Sequence, residues 1–273
     1  MAVDKLVDSS KLDACCTAEA NAIRAKTGDS ASLTYDWSNS KGFADEIGAI
    51  NSAPSWLSIV TNFRFGSPYD PPTLPENLEI YTENLSLLTQ MFQNTTTTNC
   101  KTIKIKSDVS IKEMGYAFNR RFPTDCIITI DADLSQCKSY QNCFDAQISG
   151  NPHASTIIAN IDFSGITSQN NVNGMFNNNA SIANITFVPN TLQYNLSLNK
   201  ASNLTTASLV SLGNCLKAVS GKTLTLHATP KDNLSNIMGT VTNNGTYDLF
   251  TLDAGGSVTL LSFITTTKGW TVA

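Results

Sequence analysis

The sequence predicts an α/β repeat fold, a solenoid of stacked units preceded by a small helical module at the N-terminus. Three observations predict it. A phenylalanine motif recurs at a nearly constant interval, a short alternating segment follows each motif, and the first fifty residues show helical rather than alternating periodicity. The segments are taken below in chain order.

Residues 1–50 carry the helical signal. Apolar residues recur at helical spacing through residues 8–28, and Gly28 stands where a C-terminal cap belongs. A second, shorter helix is predicted over residues 41–50. Two small amphipathic helices must bury their apolar stripes against another surface, whether this chain's own solenoid, another copy or a larger assembly.

Residues 51–86 are predicted to form a linker and N-terminal cap strands. Residues 55–65 have strand composition, and residues 77–81 resemble another short strand. Between them, residues 66–77 are rich in proline, which predicts a loop without helix or sheet.

Residues 87–205 form the predicted repeat core. Four segments of this core resemble one another. Each places a small or soft apolar residue directly before phenylalanine: Met91-Phe92, Ala117-Phe118, Cys143-Phe144 and Met175-Phe176. The phenylalanines are 26, 26 and 32 residues apart. Repeats of this length are typical of an irregular leucine-rich-repeat solenoid, in which units stack because none can bury its apolar side alone.

A short alternating segment follows each motif, at residues 102–106, 126–135, 157–165 and 182–189. The period-two rule predicts that four pairs point inward: Ile103/Ile105, Ile128/Ile130, Ile161/Phe163 and Ile185/Phe187. The outward neighbours, together with two residues of a later strand, are then candidate ligand- or partner-binding positions: Lys104, Lys106, Thr129, Asp131, Asn160, Asp162, Asn184, Thr186, Thr225 and His227. Such a ladder can bind sugar or protein through hydrogen bonds, and the alternative is an ordinary solvated sheet face.

Residues 206–273 are predicted to be atypical C-terminal repeats and a cap. A helix is expected over residues 206–219, followed by a strand over residues 222–228. A second helix is expected around residues 231–241, then a third helix or turn, and a final strand at residues 270–273. Terminal repeats differ from internal ones because they close an exposed apolar end.

Composition narrows the function classes. Only 15% of the residues are charged, the formal net charge is −4 and lysines and arginines do not cluster, which argues against a nucleic-acid partner. No apolar run is long enough to predict membrane insertion. The N-terminus shows no basic segment followed by an apolar one, so we expect folding in a cytosol, with the seven cysteines as buried free thiols and no bound metal.

Catalytic patterns are weak. The two histidines, His153 and His227, have no nucleophile or orienting partner in a recognisable frame. Asp131 and Asp133 place two carboxylates on one strand face, which could hold a cation or a sugar but is also typical of a solvated strand edge. The sequence therefore predicts a protein that is not an enzyme and needs no cofactor.

Two parts of the chain resemble a known family. The repeat core, with its Phe-ended turn and Ile-x-Ile strand, resembles BspA-like leucine-rich-repeat proteins of bacteria and their phages. The stretch from Ser208 through GKTLTLHAT to KGWTVA is similar to the closing unit of phage-encoded members. The N-terminal segment, with Ala22, Ile23, Arg24, Lys26, Thr27 and Gly28, is similar to a leader of tail and baseplate proteins in phages of Gram-positive bacteria.

The resemblance implies a virion structural protein of the tail or baseplate region, assembled in the host cytoplasm. Residues 1–50, with Ile23, Arg24 and Lys26, would anchor it to other tail or baseplate proteins, and the solenoid would meet host-surface glycan or protein, or neighbouring subunits. The 32-residue interval and the extra segment at residues 246–256 depart from the family pattern. The alternative is a bacterial cell-surface leucine-rich-repeat adhesin that lacks its signal sequence.

Overall fold

The computed structural model describes residues 73–82, 84–92 and 95–273, which all lie in a compact unit spanning Thr61–Ala273. This unit is a parallel β-solenoid of about six turns. The predicted helical module at residues 1–50, its anchoring residues Ile23, Arg24 and Lys26, and the predicted strand at residues 55–65 lie outside the described residues.

One wall of the solenoid is a five-stranded parallel sheet in chain order. Its strands are β1 (Asn77–Thr82), β2 (Thr102–Ser107), β3 (Ile127–Asp131), β4 (Thr156–Ile161) and β5 (Asn184–Phe187). Each strand pairs with the next turn's strand in parallel register. Between β4 and β5 the register shifts after Ile157 and resumes at Asn160, which leaves a bulge in β4.

Alternation along these strands divides core from surface as the sequence predicts. The side chains expected to point inward are all buried: Ile103, Ile105, Ile128, Ile130, Ile161, Phe163, Ile185 and Phe187. The eight residues of the four Phe motifs are also buried. The β-branched and aromatic residues therefore form a continuous core shared by successive turns.

The opposite side of the core is built from stacked turns rather than helices. Backbone N–H groups of one motif donate to carbonyls of the next, as in Phe92 to Ala117 and Phe118 to Cys143. The phenylalanine rings stack in a column, with centroids 5.5 Å apart for Phe118 and Phe144 and 5.8 Å apart for Phe144 and Phe176. A 3₁₀ helix at Gln169–Asn171 lies in the longest interval.

Each of these turns requires one left-handed residue, two positions before its phenylalanine. These residues are Gln90, Tyr116, Asn142 and Gly174, with φ values of 58°, 59°, 49° and 69°. The four turns thus share the left-handed conformation although the residue that adopts it differs. Only the last of them has glycine, the residue that adopts it at the lowest cost.

A helix ends the five-stranded sheet. Helix α1 (Thr206–Cys215) packs beside β5. The Ser208 hydroxyl accepts from the Ile185 N–H at 3.0 Å, and the Ser211 hydroxyl accepts from the Phe187 N–H at 2.8 Å. The two hydroxyls, one helical turn apart, therefore replace the hydrogen bonds that a sixth strand would make.

The other wall continues past α1 as a second, smaller sheet. It pairs β6 (Leu196–Leu198) with β7 (Thr223–Leu226), and β7 with the last strand, β11 (Thr271–Val272), all in parallel. The predicted strand at residues 222–228 is thus confirmed in its central part. The predicted helix at residues 206–219 ends at Cys215, and Leu216 instead bridges to Leu192.

The prediction of a helix over residues 231–241 is wrong. A short helix, α2 (Ala228–Asn233), stops early, and β8 (Met238–Asn243) forms a hairpin with β9 (Asp248–Leu252). The β-branched residues 240–242 favour a strand, and the pairing partner lies beyond the reach of local periodicity. A third strand, β10 (Val258–Thr259), completes this antiparallel sheet.

The chain closes with a short helix α3 (Leu260–Ser262), a π-helix at Phe263–Thr267 and strand β11. Trp270 is buried, and its ring N–H donates to the Lys217 carbonyl at 2.9 Å. Lys268 is also buried, and its ammonium donates to the Asp248 carbonyl at 2.8 Å. These contacts tie the C-terminus to α1's end and to the hairpin.

Candidate binding surface

The outward side of the five-stranded sheet is the candidate site, and we call it the strand face. Because side chains alternate along each strand, every second residue of β1–β5 points away from the core. The strand face consists of Asn77, Glu79 and Tyr81 from β1; Thr102, Lys104 and Lys106 from β2; Ile127, Thr129 and Asp131 from β3; Thr156, Ile158 and Asn160 from β4; and Asn184 and Thr186 from β5.

The half of the strand face on β1 and β2 is charged, and its groups are already paired. The Lys104 ammonium lies 2.9 Å from a Glu79 carboxylate oxygen, and Lys106 lies 5.4 Å from the centroid of the Tyr81 ring. The hydrogen bond and charge of Glu79 raise the pKa of Lys104. These solvent-exposed pairs fix side-chain positions more than they stabilise the fold.

The half on β3–β5 is largely neutral. Ile127 pairs laterally with Thr156, and Thr129 pairs with Ile158, so two isoleucines and two threonines form a compact group. Ile158 is 54% exposed and Ile127 is 37% exposed. Asn160, Asn184 and Thr186 border the group with amide and hydroxyl groups. We call Ile127, Thr129, Thr156 and Ile158 the isoleucine–threonine patch.

The bulge in β4 accounts for the prominence of Ile158. Neither Ile158 nor Ala159 has a partner residue in β5. A bulge bends its strand and re-aims the side chains it carries. Ile158 therefore stands on the strand face without a lateral neighbour from β5, while Ala159 remains buried beneath it.

The structure brings seven of the ten predicted binding positions together on the strand face: Lys104, Lys106, Thr129, Asp131, Asn160, Asn184 and Thr186. Asp162, also predicted to point outward from this sheet, does not lie on the strand face. Strand β4 ends at Ile161, and the Asp162 side chain turns to accept the Ser164 N–H at 2.7 Å, which leaves the residue largely buried.

Thr225 and His227, the two candidates from the later strand, do not join the strand face, and only His227 departs from its predicted position. Thr225 lies on β7, in the smaller parallel sheet. His227 is not on a strand: it precedes α2 as its N-cap, and its Nδ1 accepts the Thr229 N–H at 3.2 Å. Solenoid walls need not continue in one sheet, and α1 interrupts this one.

Seven members of the strand face were not among the predicted binding positions. They are Asn77, Glu79, Tyr81, Thr102, Ile127, Thr156 and Ile158. The alternation that identified the other outward residues would have found them. The isoleucines were overlooked because adjacent apolar pairs, Ile127-Ile128 and Ile157-Ile158, hide which member faces outward.

The two aspartates of the predicted pair do not act together. Asp131 points outward at the end of β3, whereas Asp133 accepts from the backbone N–H of Ser135 and from the hydroxyls of Ser110 and Ser135. Those hydrogen bonds, that of Ser110 first, lower the pKa of Asp133. In the described part of the chain, no group of three or more His, Cys, Asp or Glu residues is arranged to hold a metal ion.

His153 is a structural residue of the core. It is fully buried, its Nε2 lies 3.0 Å from the Phe118 carbonyl oxygen, and its ring meets that of Phe122 edge to face at 5.2 Å. Its Nδ1 has no hydrogen-bond partner. Burial lowers the pKa of His153 to about 4, so the ring is neutral at physiological pH.

The strand face is thus an array of side chains on a hydrogen-bonded sheet, regular except at the bulge in β4. Paired backbones fix its spacing, at about 4.8 Å between strands and about 7 Å between outward residues along a strand. It offers apolar contact at the isoleucine–threonine patch and hydrogen-bonding groups around it.

Among the described residues, no helix is long and apolar enough to cross a membrane. Comparisons with protein-family models, with curated proteins and with solved structures find no match to this chain.

Proposed function

We propose that this chain is a non-enzymatic structural and binding protein of a phage virion, located in the tail or baseplate region. Its solenoid, of the leucine-rich-repeat BspA-like type, uses the strand face to recognise the host surface or to contact neighbouring subunits. The observation that carries the binding role is the strand face itself, with an exposed isoleucine–threonine patch beside a polar border.

The chemistry of the strand face supports recognition. An exposed aliphatic group rimmed by amides and hydroxyls is typical of a contact surface, because apolar burial drives association and the polar rim sets orientation. The bulge beside Ile158 supports the same role, because bulges re-aim side chains where a strand serves a function. The paired backbone of β1–β5 keeps the surface preorganised, which lowers the entropy lost on binding.

The virion role rests on the resemblance of the two ends of the chain. The residues similar to the phage closing unit, at 222–228 and 268–273, lie side by side through the pairing of β7 and β11. The leader-like segment, with Ile23, Arg24 and Lys26, supplies the proposed anchor to tail or baseplate proteins. Host-surface glycan or protein is the proposed partner of the solenoid.

The test compares two exposed aliphatic residues at different places. Ile158→Asp puts a charge in the isoleucine–threonine patch, whereas Leu252→Asp puts one on the hairpin at almost equal exposure, 54% against 56%. Binding of the full chain is measured on intact Gram-positive host cells and on purified cell-wall glycan. We expect I158D to weaken binding at least tenfold, about 1.4 kcal/mol, and L252D to leave it unchanged.

Two results would overturn parts of this proposal. Equal binding by I158D, L252D and the parent protein would remove the strand face as the recognition surface. Failure of the chain to enter phage particles, in a host where the parent gene is replaced by a tagged copy, would remove the virion role. Binding to host cells without entry into particles would favour the adhesin alternative.

A further inference from the structure

Two cysteines lie together at one corner of the solenoid. Cys100 and Cys126 each close a tight turn, with the Cys100 N–H donating to the Thr97 carbonyl and the Cys126 N–H donating to the Pro123 carbonyl. Each turn leads into a strand, and those strands, β2 and β3, are paired. The solenoid therefore stacks the two residues in adjacent turns.

Both side chains of this pair are buried in the core. The Cys100 thiol donates to the Thr102 carbonyl at 3.6 Å, and the two thiols shift each other's pKa in opposite directions. Because Thr102 pairs with Ile127, the two cysteines are offset by one residue along neighbouring turns. A strand spacing of about 4.8 Å and a rise of about 3.3 Å put their Cα atoms about 6 Å apart, inside the range of about 4.4–6.8 Å that a disulfide spans. The frame thus holds two free thiols at a separation that a disulfide can close.

The two sulfurs are chemically unequal. The hydrogen bond from Cys126 lowers the pKa of Cys100, although burial opposes it. The same hydrogen bond, followed by burial, raises the pKa of Cys126. Cys100 is therefore the better thiolate of the two, and the thiolate is the species that attacks a disulfide.

A groove lies over the same corner. Its lining includes Glu76, Thr98, Asn99, Lys101, Pro123 and Asp125. Asn99 and Lys101 flank Cys100 in the chain, and Asp125 precedes Cys126. Chain neighbours of both cysteines thus line the groove, so a small local opening at this corner gives a reagent access.

We propose that Cys100 and Cys126 form a dithiol modification site, which a low-molecular-weight disulfide oxidises to a cystine that clamps two adjacent turns. The Cys100 thiolate attacks one sulfur of the reagent, forms a mixed disulfide and releases one thiol. Cys126, after losing its proton to solvent, attacks the Cys100 sulfur and releases the second thiol. Two protein thiols are oxidised and one reagent disulfide is reduced to two thiols.

The disulfide joins residues 26 apart and so reduces the conformational entropy of the unfolded chain. We therefore expect the oxidised protein to unfold at a higher urea concentration than the reduced one, with reversal by dithiothreitol. The oxidation chemistry is independent of what the strand face binds.

The test incubates the full chain in glutathione redox buffers, with and without urea below the unfolding transition so that access does not limit the reaction. Peptide mass mapping without reduction identifies the bonded cysteines. We expect one bond between Cys100 and Cys126, absent in Cys100→Ser and Cys126→Ser and retained in the matched control Cys137→Ser, whose buried thiol lies at another corner. A rise in the urea midpoint should accompany the bond and be missing from both single variants.

The proposal fails if the pair stays reduced at equilibrium in excess oxidised glutathione, or if the bond joins other cysteines. It also fails if only glutathione adducts form on Cys100, because the second attack would then not occur. A bond that lowers the urea midpoint would overturn the clamp.

Discussion

Acid should destabilise this fold through His153. The ring is neutral and buried, with Nε2 bonded to the Phe118 carbonyl and Nδ1 without a partner. Protonation would place a second N–H and a positive charge in the core, where neither is solvated. Burial therefore lowers the pKa to about 4, from 6.5 in the unfolded chain.

The size and direction of the effect follow from linkage. Between pH 6.5 and pH 4 the unfolded chain binds a proton at His153 and the folded protein does not, so stability falls as the pH falls. Above pH 6.5 both states are neutral, and below pH 4 both are protonated. A difference of about 2.5 units at 1.36 kcal/mol per unit gives a loss of about 3 kcal/mol across that window.

The repeat itself supplies the matched variant. Asn179 stands 26 residues after His153, and its Nδ2 donates to the Phe144 carbonyl at 3.2 Å, as His153 Nε2 does to Phe118. His153→Asn should therefore keep the hydrogen bond and remove the titration. It loses the ring contact with Phe122, so its stability at pH 7 is expected to be lower than the parent's.

Urea unfolding of both proteins at half-unit steps from pH 7.5 to pH 4 measures the prediction. Carboxylates titrate in the same range in both proteins, so the difference between the two curves reports on His153. We expect that difference to shrink by about 3 kcal/mol as the pH falls, with most of the change between pH 6.5 and pH 4. Parallel curves would refute the reasoning, as would a ring signal that is absent from His153→Asn, and so belongs to His153, and that titrates near pH 6.5 in the folded protein.

Three further predictions concern the frame. The double variant Ser208→Ala, Ser211→Ala should lower the free energy of unfolding by about 1–3 kcal/mol for each N–H of β5 left without a partner. It should also raise self-association in sedimentation experiments, because the sheet edge is then open. A monomer of parental stability would contradict the capping role. Phe144→Ala should lower the free energy of unfolding, measured in urea, by about 3–5 kcal/mol. The control Ile148→Ala, at an exposed position, should lower it by less than about 0.5 kcal/mol. Equal losses would argue against a stabilising role for the ring column. Gly174→Ala should cost at least about 1–2 kcal/mol, because φ is 69° there and the added Cβ would also displace the Asn142 side chain. Asn142→Gly at the equivalent position should be neutral to within about 0.5 kcal/mol, and similar losses in both would refute a requirement for the left-handed conformation.

The internal turns were predictable because their signals are local and repeated. The alternation of Ile103/Ile105 and Ile128/Ile130 identifies the buried side of two strands, and the 26-residue interval shows that the strands stack. Seven of the outward residues followed from the same rule. Because the same pattern occurs in several turns, each occurrence supports the assignment of the others, whereas a single short segment would leave its assignment as a strand uncertain.

The C-terminal elements were less predictable because they depend on distant partners. Residues 238–243 form a strand through pairing with β9, and the Asn214 side chain accepts the Phe250 N–H from 36 residues away. Asp162 was misplaced by one residue, since β4 ends at Ile161. Such endings are set by turn hydrogen bonds and bulges, which periodicity does not encode.

Helix α1 would allow the number of solenoid turns in this protein to change during evolution. Its serines bind only backbone N–H and carbonyl groups in and beside the last strand, and every turn of the sheet presents such groups. Unequal recombination between the similar gene segments encoding these turns can therefore add or remove a whole turn without a new terminator. Each event would widen or narrow the strand face by one strand spacing, about 4.8 Å, while both ends of the chain stay intact. A lineage could thus change how far its contact surface reaches in discrete steps.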